Sequence, residues 1–310
     1  MKKNNEKKVA IIIPIFNRKK NIKTVYRALK SNQYKNITII FSDGGSTDGS
    51  GEFIRKHLKD TVYLRSGHIS WWAESINLGI AWAYKNNFDF FLTFNDDQLC
   101  DDQFIVELLK AAEKNNDSII SSLILYKDKK NKILSSGFDI DRKNGFPCGH
   151  YNDMHINSLS TDRVVDCVPG YSMLIPRYII SKIGLFDSVK FPQIYMELDY
   201  CLRVKFNQFN IVVSKNSHVY NDRSDKEISP YDNMSFFKKF KYIFFHLSSP
   251  LHLRQNINKI KSTAFFLKEK YISILVIHYL NYLLKVASHI LFKKSTRKYL
   301  FKYINRDYFS

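Results

Sequence analysis

Short apolar segments alternate with amphipathic segments between residues 9 and 125 of the chain. Residues 9–13 are all apolar and mostly β-branched, which predicts a buried strand that ends at Pro14. Asn17 is the expected N-cap of a helix over 18–31. The same patterns predict strands at 36–41, 61–64, 88–94, 119–125 and 164–175, a turn and helix at 42–53, and helices at 74–85 and 101–115. This alternation predicts a doubly wound α/β fold with parallel strands.

Polar residues follow three of these predicted strands, at 14–18, 43–48 and 95–97. Open α/β sheets bind their ligands beyond the carboxyl ends of the strands. We therefore expect the three segments to meet in a single binding site.

The third segment holds two adjacent carboxylates, Asp96 and Asp97, which repel each other when both are charged. A divalent cation, Mg²⁺ or Mn²⁺, would relieve the repulsion, and such ions commonly share their coordination with substrate phosphates. A polar strand end that begins a helix is the alternative. In the second segment Asp43 precedes Gly44 and Gly45, which allow backbone amides to approach a ligand closely. The spacing differs from GxGxxG, so it does not predict a dinucleotide site.

The pattern changes after about residue 225, where helices are predicted at 234–247, 252–270 and 271–292. The last of these has one narrow polar stripe on an otherwise apolar helix. The stripe consists of His278, Asn281, Lys285, Ser288 and His289. Such a helix either buries three sides in protein or lies in a membrane surface. We therefore divide the chain into an α/β domain at 1–225 and a helical extension at 226–310.

Charge is concentrated in the extension. The chain has a formal net charge of +19, and residues 226–310 contribute 16 Lys and Arg against 4 Asp and Glu, a net of +12. A basic segment suits an anionic partner, either lipid or nucleic acid, or is simply a solvated face. A nucleic-acid-binding protein is disfavoured because no RRM, KH or helix-turn-helix signature is present.

The remaining signals concern compartment. The four cysteines show no CxxC spacing, which favours free thiols in a reducing cytoplasm. The apolar run near the N-terminus is too short for a signal peptide. No uncharged apolar stretch reaches the roughly 18 residues of a membrane span.

Seven motifs occur in a fixed order along the chain. They are IPIFNR (13–18), SDGGSTDGS (42–50), WWAESINLG (71–79), NDDQ (95–98), PGYSMLIPRYIISKIGLFD (169–187), MELDYCLR (196–203) and SHVY (217–220). Over about residues 8–225 the chain resembles inverting glycosyltransferases of family 2, which have the GT-A fold. Within them it is most similar to the rhamnosyltransferase-like enzymes that build bacterial surface polysaccharides.

The resemblance implies a role for each matching position. It implies nucleotide or donor-sugar contacts for Pro14, Phe16, Asn17, Asp43, Gly45, Asn77 and Asp96, with Asn77 near the pyrophosphate. It implies that Asp97 binds the metal, with His218 close to the metal and the diphosphate. Trp72 either shapes the donor-sugar pocket or belongs to the packed core.

Glu197 stands where the family has its catalytic base. The family commonly has ED-x-D here, whereas this chain has MELD, so the base would be Glu197 with Asp199 as the alternative. Both are also acids in the first turn of a predicted helix, which the helix dipole favours without any catalytic role.

The predicted activity is therefore a metal-dependent, inverting transfer of a sugar from a UDP-, dTDP- or GDP-linked donor to a glycan hydroxyl. The expected acceptor is lipid-linked, in the synthesis of lipopolysaccharide, O-antigen or capsule. The expected location is the cytoplasmic face of the plasma membrane, held by the extension, which could instead close the acceptor side or form a homodimer. A nucleotidyltransferase is the rival enzyme class, but PIFNRKKN lacks the glycine-rich loop that it would need.

Overall fold

The computed structural model describes residues 6–221, 234–247, 249, 252–267 and 271–291. The strands are β1 Val9–Ile15, β2 Ile37–Asp43, β3 Val62–Arg65, β4 Phe90–Thr93, β5 Leu99–Cys100, β6 Ser118–Tyr126, β7 Ile133–Ser135, β8 Asp139–Ile140, β9 Pro147–Cys148, β10 Arg163–Val164, β11 Met173–Pro176 and β12 Asn210–Asn221. The α-helices are α1 Lys19–Lys30, α2 Ser50–His57, α3 Trp72–Lys85, α4 Phe104–Lys114, α5 Arg177–Ile183, α6 Met196–Phe206, α7 Phe236–Phe245, α8 Leu253–Phe266 and α9 Tyr271–Leu291.

A ten-stranded mixed sheet forms the centre of the α/β domain, in the order β10-β12-β6-β11-β4-β1-β2-β3 with β5 and β7 paired at its side. The segment β4-β1-β2-β3 is parallel, as expected. The expectation of parallel strands fails at β11, which is antiparallel to both β4 and β6. The chain reaches β11 through a long excursion after β6 rather than through a single crossover helix, so no βαβ constraint fixes its direction.

The predicted strand at 164–175 is also wrong, because the chain forms β10 and β11 with a loop between them. That loop holds Pro169 and Gly170, which interrupt a strand.

Alternate residues of the central strands feed two apolar layers. Ala10, Ile12 and Ile40 pack with α3, α5 and α6 on one face of the sheet. Ile11 and Ile13 pack with α1, α2 and α4 on the other. Because successive side chains of a strand point to opposite faces, both faces of the sheet are apolar and helices cover each of them. The carboxyl ends of the parallel strands lie together at one edge of the sheet.

The cap predicted for the first helix is wrong. Arg18 is the N-cap of α1, and it makes no side-chain cap hydrogen bond. Asn17 instead has a left-handed backbone (φ 55°), and its side chain bonds the loop after β2. The polar group is therefore used to join two loops rather than to begin a helix.

The C-terminal helices pack onto the α/β domain through α8 and α9. Ser262 donates to Asp199 of α6 at 3.1 Å, and Gln255 accepts from the backbone N–H of Ile194 just before α6. α9 packs on α8, and its His278 ring stacks on Phe146 with centroids 4.2 Å apart. Among the described residues, no helix combines the length and apolar character required to span a bilayer.

Candidate active site

The loops after β1 and β2 are hydrogen-bonded to each other at the carboxyl edge of the sheet. The Gly44 N–H donates to the Ile15 carbonyl at 2.9 Å. The Asn17 N–H donates to Oγ of Ser46 at 2.8 Å, and the Thr47 N–H donates to Oδ1 of Asn17 at 2.8 Å. Asn tolerates the left-handed conformation that this arrangement needs better than most residues do. Two of the three predicted segments therefore lie side by side, with the Phe16 side chain exposed at their rim.

Asp43 is fully buried at the end of β2, and its carboxylate organises the following turn. Oδ1 accepts from the N–H groups of Gly45 at 3.0 Å and Ser46 at 2.7 Å, and Oδ2 accepts from the Tyr63 hydroxyl at 2.6 Å. Burial, and then the hydrogen bond to Asp43, raise the pKa of Tyr63. Oδ1 already accepts two bonds, whereas Oδ2 accepts one and can accept another, so Asp43 is held in place without being saturated.

Asp96 and Asp97 differ sharply although they are adjacent. Asp96 is only 8% exposed, and its Oδ2 lies 3.4 Å from Nε of Arg18 and 3.3 Å from Nδ2 of Asn21. Burial raises the pKa of Asp96 to about 6, with Arg18 opposing this and the Asp97 charge adding to it. Asp97 is exposed, and the described residues offer it neither a hydrogen bond nor an ion pair.

This carboxylate pair suits a cation that is held mainly by substrate. Within the described chain there is no group of three or more His, Cys, Asp or Glu side chains that could hold an ion. Mg²⁺ and Mn²⁺ sites at nucleotide phosphates commonly use one or two carboxylates, with phosphates and water completing the coordination. Asp97 can serve as such a ligand because it has no protein partner to give up.

His218 is less available than the sequence suggested. Nδ1 lies 2.9 Å from Oδ2 of Asp101, and Nε2 lies 2.9 Å from the Lys215 carbonyl. A histidine needs a free ring nitrogen to bind a metal. His218 could therefore reach a metal only by giving up one of these two contacts.

Trp72 connects the Asn95–Asp97 segment to the chain around Glu197. Its indole Nε1–H donates to Oδ1 of Asn95 at 3.0 Å, and its backbone N–H donates to Oε1 of Gln193 at 3.1 Å. A Cβ placed on Gly170 would lie 3.2 Å from the indole edge of Trp72 and 3.4 Å from Cβ of Glu197. Glycine at this position therefore lets the two side chains approach closely, and a larger residue would require Trp72 to shift.

Glu197 and Asp199, the two candidates for the base, lie in different environments. Oε2 of Glu197 is buried without a hydrogen-bond partner among the described residues, and burial raises the pKa of the carboxyl. Asp199 accepts from Nε of Arg203 at 2.9 Å and from Ser262 at 3.1 Å. An unpaired buried carboxyl is costly to the fold, so Glu197 fits a reactive group and Asp199 a structural one.

Asn77 does not face open space. Its Nδ2 donates to the Phe186 carbonyl at 2.8 Å, and its Oδ1 accepts from the Phe186 N–H at 3.1 Å. Phe186 in turn packs edge-on against Trp72 at 5.6 Å. Asn77 therefore supports the wall behind Trp72, and its role near a pyrophosphate stays a prediction.

The sequence profile described as glycosyl transferase family 2 matches residues 10–182, which is more than half of the chain. The chain belongs to glycosyl transferase family 2. Its fold is similar to that in the crystal structure of GalNAc-T7 with UDP, GalNAc and Mn²⁺, with a TM-score of 0.61 and 9% identity over 84% of this chain. The chain spans 48% of that protein's chain, about half its length. No curated protein matches this family member. The expected GT-A fold is confirmed.

Sequence reasoning missed the residues that join the motifs of this family 2 protein. Arg18 and Asn21 contact Asp96; the sequence led us to expect segments 14–18 and 95–97 to meet, but it named neither residue as a partner of Asp96. Tyr195 precedes α6 with a left-handed backbone (φ 64°), which is uncommon for a bulky residue and fixes the approach to Glu197. The Pro-Gly pair in PGYSMLIP could have indicated the contact of Gly170 with Trp72 and Glu197, because glycine often marks a close approach of two chain segments.

Proposed function

We propose that the protein is an inverting glycosyltransferase that moves a sugar from a nucleoside diphosphate to a hydroxyl of a glycan acceptor. The observation that carries this proposal is the carboxyl of Glu197, whose Oε2 atom is buried without a hydrogen-bond partner among the described residues. Trp72 links it to the Asn95–Asp97 end of β4. Such a transfer requires a base at the acceptor hydroxyl and, close by, an acidic residue that can hold a cation at the diphosphate.

In this proposal the ionised Glu197 takes the proton from the acceptor hydroxyl. The oxygen attacks the anomeric carbon from the face opposite the diphosphate, the bond from that carbon to the diphosphate oxygen breaks, and the configuration inverts. The raised pKa of Glu197 makes it a stronger base than an exposed glutamate. A divalent cation bound at Asp97, Mn²⁺ or Mg²⁺, would supply neutralisation of the charge on the leaving diphosphate.

The loops after β1 and β2 would hold the nucleoside. Asp43 is fixed by three hydrogen bonds and retains acceptor capacity for an N–H of the base. The exposed ring of Phe16 offers a face beside it, and Asn17 and Pro14 set the position of that loop. Asp96 lies between this loop and Asp97, in reach of the ribose or sugar side.

The finer assignment comes from the motifs. It is hexosyl or rhamnosyl transfer in lipopolysaccharide, O-antigen or capsule synthesis, on a lipid-linked acceptor at the cytoplasmic face of the plasma membrane. GalNAc-T7 was crystallised with UDP, GalNAc and Mn²⁺, which makes UDP-sugars and Mn²⁺ the first ligands to try. A homodimer is a separate proposal.

The test begins with thermal stabilisation by UDP-, dTDP- and GDP-sugars, each with and without Mn²⁺, to identify the donor. Transfer is then measured with that donor for the wild type, Asp97→Ala and Glu197→Gln. We expect both variants to lose most activity while their melting temperatures stay close to that of the wild type. Rates near the wild-type value in either variant would disprove the role given to that residue.

A further inference from the structure

The exposed face of α9, the longest described helix of the extension, is apolar. A helix at a protein surface in water normally exposes its polar face instead. Ile272 is 75% exposed, Leu280 is 54% exposed and Leu284 is 53% exposed, and the exposed Val276 lies between them. These residues repeat every four positions and so form one stripe along α9. Tyr279 and Leu283 widen it. The polar stripe expected from the sequence lies on the other side, where His278 is only 3% exposed.

The inward direction of the polar stripe is fixed by specific contacts. Nε2 of His278 lies 2.8 Å from the Asn144 carbonyl, and its ring stacks on Phe146. Burial lowers the pKa of His278 to about 4, which keeps the ring neutral against its apolar neighbours. Tyr282 and Val286 pack on Ile260 of α8 along the same side. The apolar face of α9 is therefore the side that the described residues leave uncovered.

α7 continues this surface and adds charge. Tyr242 and Phe244 of α7 belong to the same apolar cluster as α9, so the two helices are neighbours. Phe245 of α7 is exposed, and so are Lys238 and Lys241. Neither helix contains an Asp or Glu. Exposed aromatics interleaved with lysines are typical of helices that lie in the headgroup region of a bilayer.

We propose that the exposed face of α9 (Ile272, Val276, Leu280, Leu284) and the exposed Phe245, Lys238 and Lys241 of α7 form one lipid-binding surface for an anionic membrane. The charge decides between the two candidate occupants. Residues 226–310 carry a net charge of +12, which attracts anionic lipid and opposes a second copy of the same surface.

The surface deepens the proposed function and rests on it for its purpose. α8 packs on α9 on one side and hydrogen-bonds the segment before α6 on the other, where Gln255 accepts from the Ile194 N–H. One helix layer therefore separates the lipid-binding surface from the chain that carries Glu197. An acceptor anchored in the bilayer would have its glycan close to this side of the molecule.

Flotation of the full-length protein with vesicles tests the surface. The vesicles consist of phosphatidylcholine alone or of phosphatidylcholine mixed with phosphatidylglycerol. We expect flotation with the mixed vesicles, much less with the neutral ones, and a decrease as salt is added. The double variant Leu280→Ser with Leu284→Ser should lower vesicle partitioning about tenfold or more, because it removes two exposed apolar side chains that would enter the bilayer. Lys238→Glu with Lys241→Glu should lower it mainly for anionic vesicles.

Two matched controls keep the comparison clean. Val189→Ser removes an apolar side chain that is 72% exposed on the α/β domain, and Lys182→Glu reverses an exposed charge on α5. Both should float like the wild type, and all variants should keep the wild-type circular dichroism and melting temperature. Equal flotation of the α9 double variant and the wild type would overturn the proposal.

Two further measurements separate the remaining outcomes. Light scattering on a sizing column reports whether the α9 variant changes the oligomeric state. A dimer lost together with unchanged flotation would assign the surface to self-association and overturn the lipid proposal. Transfer to a short soluble acceptor should be unaffected by the variants. If the wild type floats but transfers no sugar to any acceptor, the proposed function fails while the lipid-binding surface stands.

Discussion

The environment of Glu197 determines what its carboxyl can do. Its Oε2 atom has no hydrogen-bond partner among the described residues, and burial raises the pKa of the carboxyl although a backbone hydrogen bond opposes this. We predict that Glu197→Gln lowers kcat by about 10²–10⁴-fold, the usual value of a positioned general base, with little change in donor KM. Steady-state kinetics with varied donor measures both. Asp199→Asn is the control, since its loss of the Arg203 contact should lower the melting temperature more than the rate.

The same carboxyl predicts a pH dependence of catalysis. A base must be deprotonated to act, and an ordinary glutamate loses its proton near pH 4.3. Because burial raises the pKa of Glu197, the acidic limb of kcat/KM for the acceptor should lie above that value. A pH–rate profile at saturating donor measures it. A rate that stays constant down to the ordinary glutamate pKa would show that another group is the base.

The buried ammonium of Lys259 predicts a pH dependence of stability. Its ammonium lies 4.8 Å from the Tyr195 ring, and burial, followed by repulsion from Lys285, lowers its pKa from 10.5 to about 8. The folded state therefore binds fewer protons than the unfolded state between pH 8 and 10.5, so this contribution to stability rises with pH there and is unfavourable at pH 7. Lys259→Met should stabilise the protein at pH 7 by about 1–3 kcal/mol, and the gain should vanish near pH 10.

Denaturant unfolding at both pH values checks the Lys259 prediction. Lys261→Met is the control because Lys261 lies on the same helix and is exposed. It should change stability little at either pH. A gain for Lys259→Met that is equal at pH 7 and pH 10 would point to packing and not to charge.

At the scale of elements, Gly79 sets how closely α3 approaches the sheet. A Cβ there would lie 2.4 Å from Cγ2 of Ile12 and 2.8 Å from Oγ of Ser42, and both of these residues are fully buried. We predict that Gly79→Ala lowers the free energy of unfolding by about 1–3 kcal/mol, because the helix must move away from β1 and β2. Urea unfolding measures it. Gly67→Ala should have a small effect, since nothing lies within 4 Å of its added Cβ.

Helices and strands with strong periodicity could be predicted from the sequence. The direction of a strand within the sheet and the face of a helix that packs on the protein could not. The alternation that gave β1 to β4 is local information, and it predicted those elements within a few residues. The antiparallel direction of β11 depends on the route of a long excursion. The stripe on α9 was visible, but periodicity shows only that a helix has two faces. Which face is covered depends on partners such as Phe146, far away in sequence.

At the scale of the whole molecule, the candidate site is built from contacts between distant motifs. The order of motifs predicted the family and the set of polar residues, because each motif is local. The hydrogen bond from Trp72 to Asn95 and the approach of Gly170 to Glu197 join parts of the chain that are far apart in sequence. Such contacts follow from tertiary packing, which no spacing rule contains. Sequence reasoning therefore supplied the groups, and the fold supplied their arrangement.

The four cysteines allow a test of whether the molecule opens as one unit. Cys167 and Cys201 lie in the core that α6 covers, and the neighbouring Cys201 and burial raise the pKa of Cys167. Burial raises the pKa of Cys100 to about 12, so this thiol is almost fully protonated near pH 8. Cys148 is partly exposed. We predict that a thiol reagent at pH 8 modifies one cysteine rapidly in the native protein and all four in denaturant.

The slow modification of the buried cysteines reports how the whole molecule unfolds. α8 packs against α6 through the Ser262–Asp199 hydrogen bond, so the extension and the α/β domain should unfold together. The two buried thiols, Cys167 and Cys201, should then react at the rate of global unfolding and speed up with urea in parallel with it. Cys148→Ser should remove the fast phase alone. Rapid modification of Cys167 or Cys201 without loss of circular dichroism would mean instead that α6 is uncovered locally, and that the extension detaches from the α/β domain.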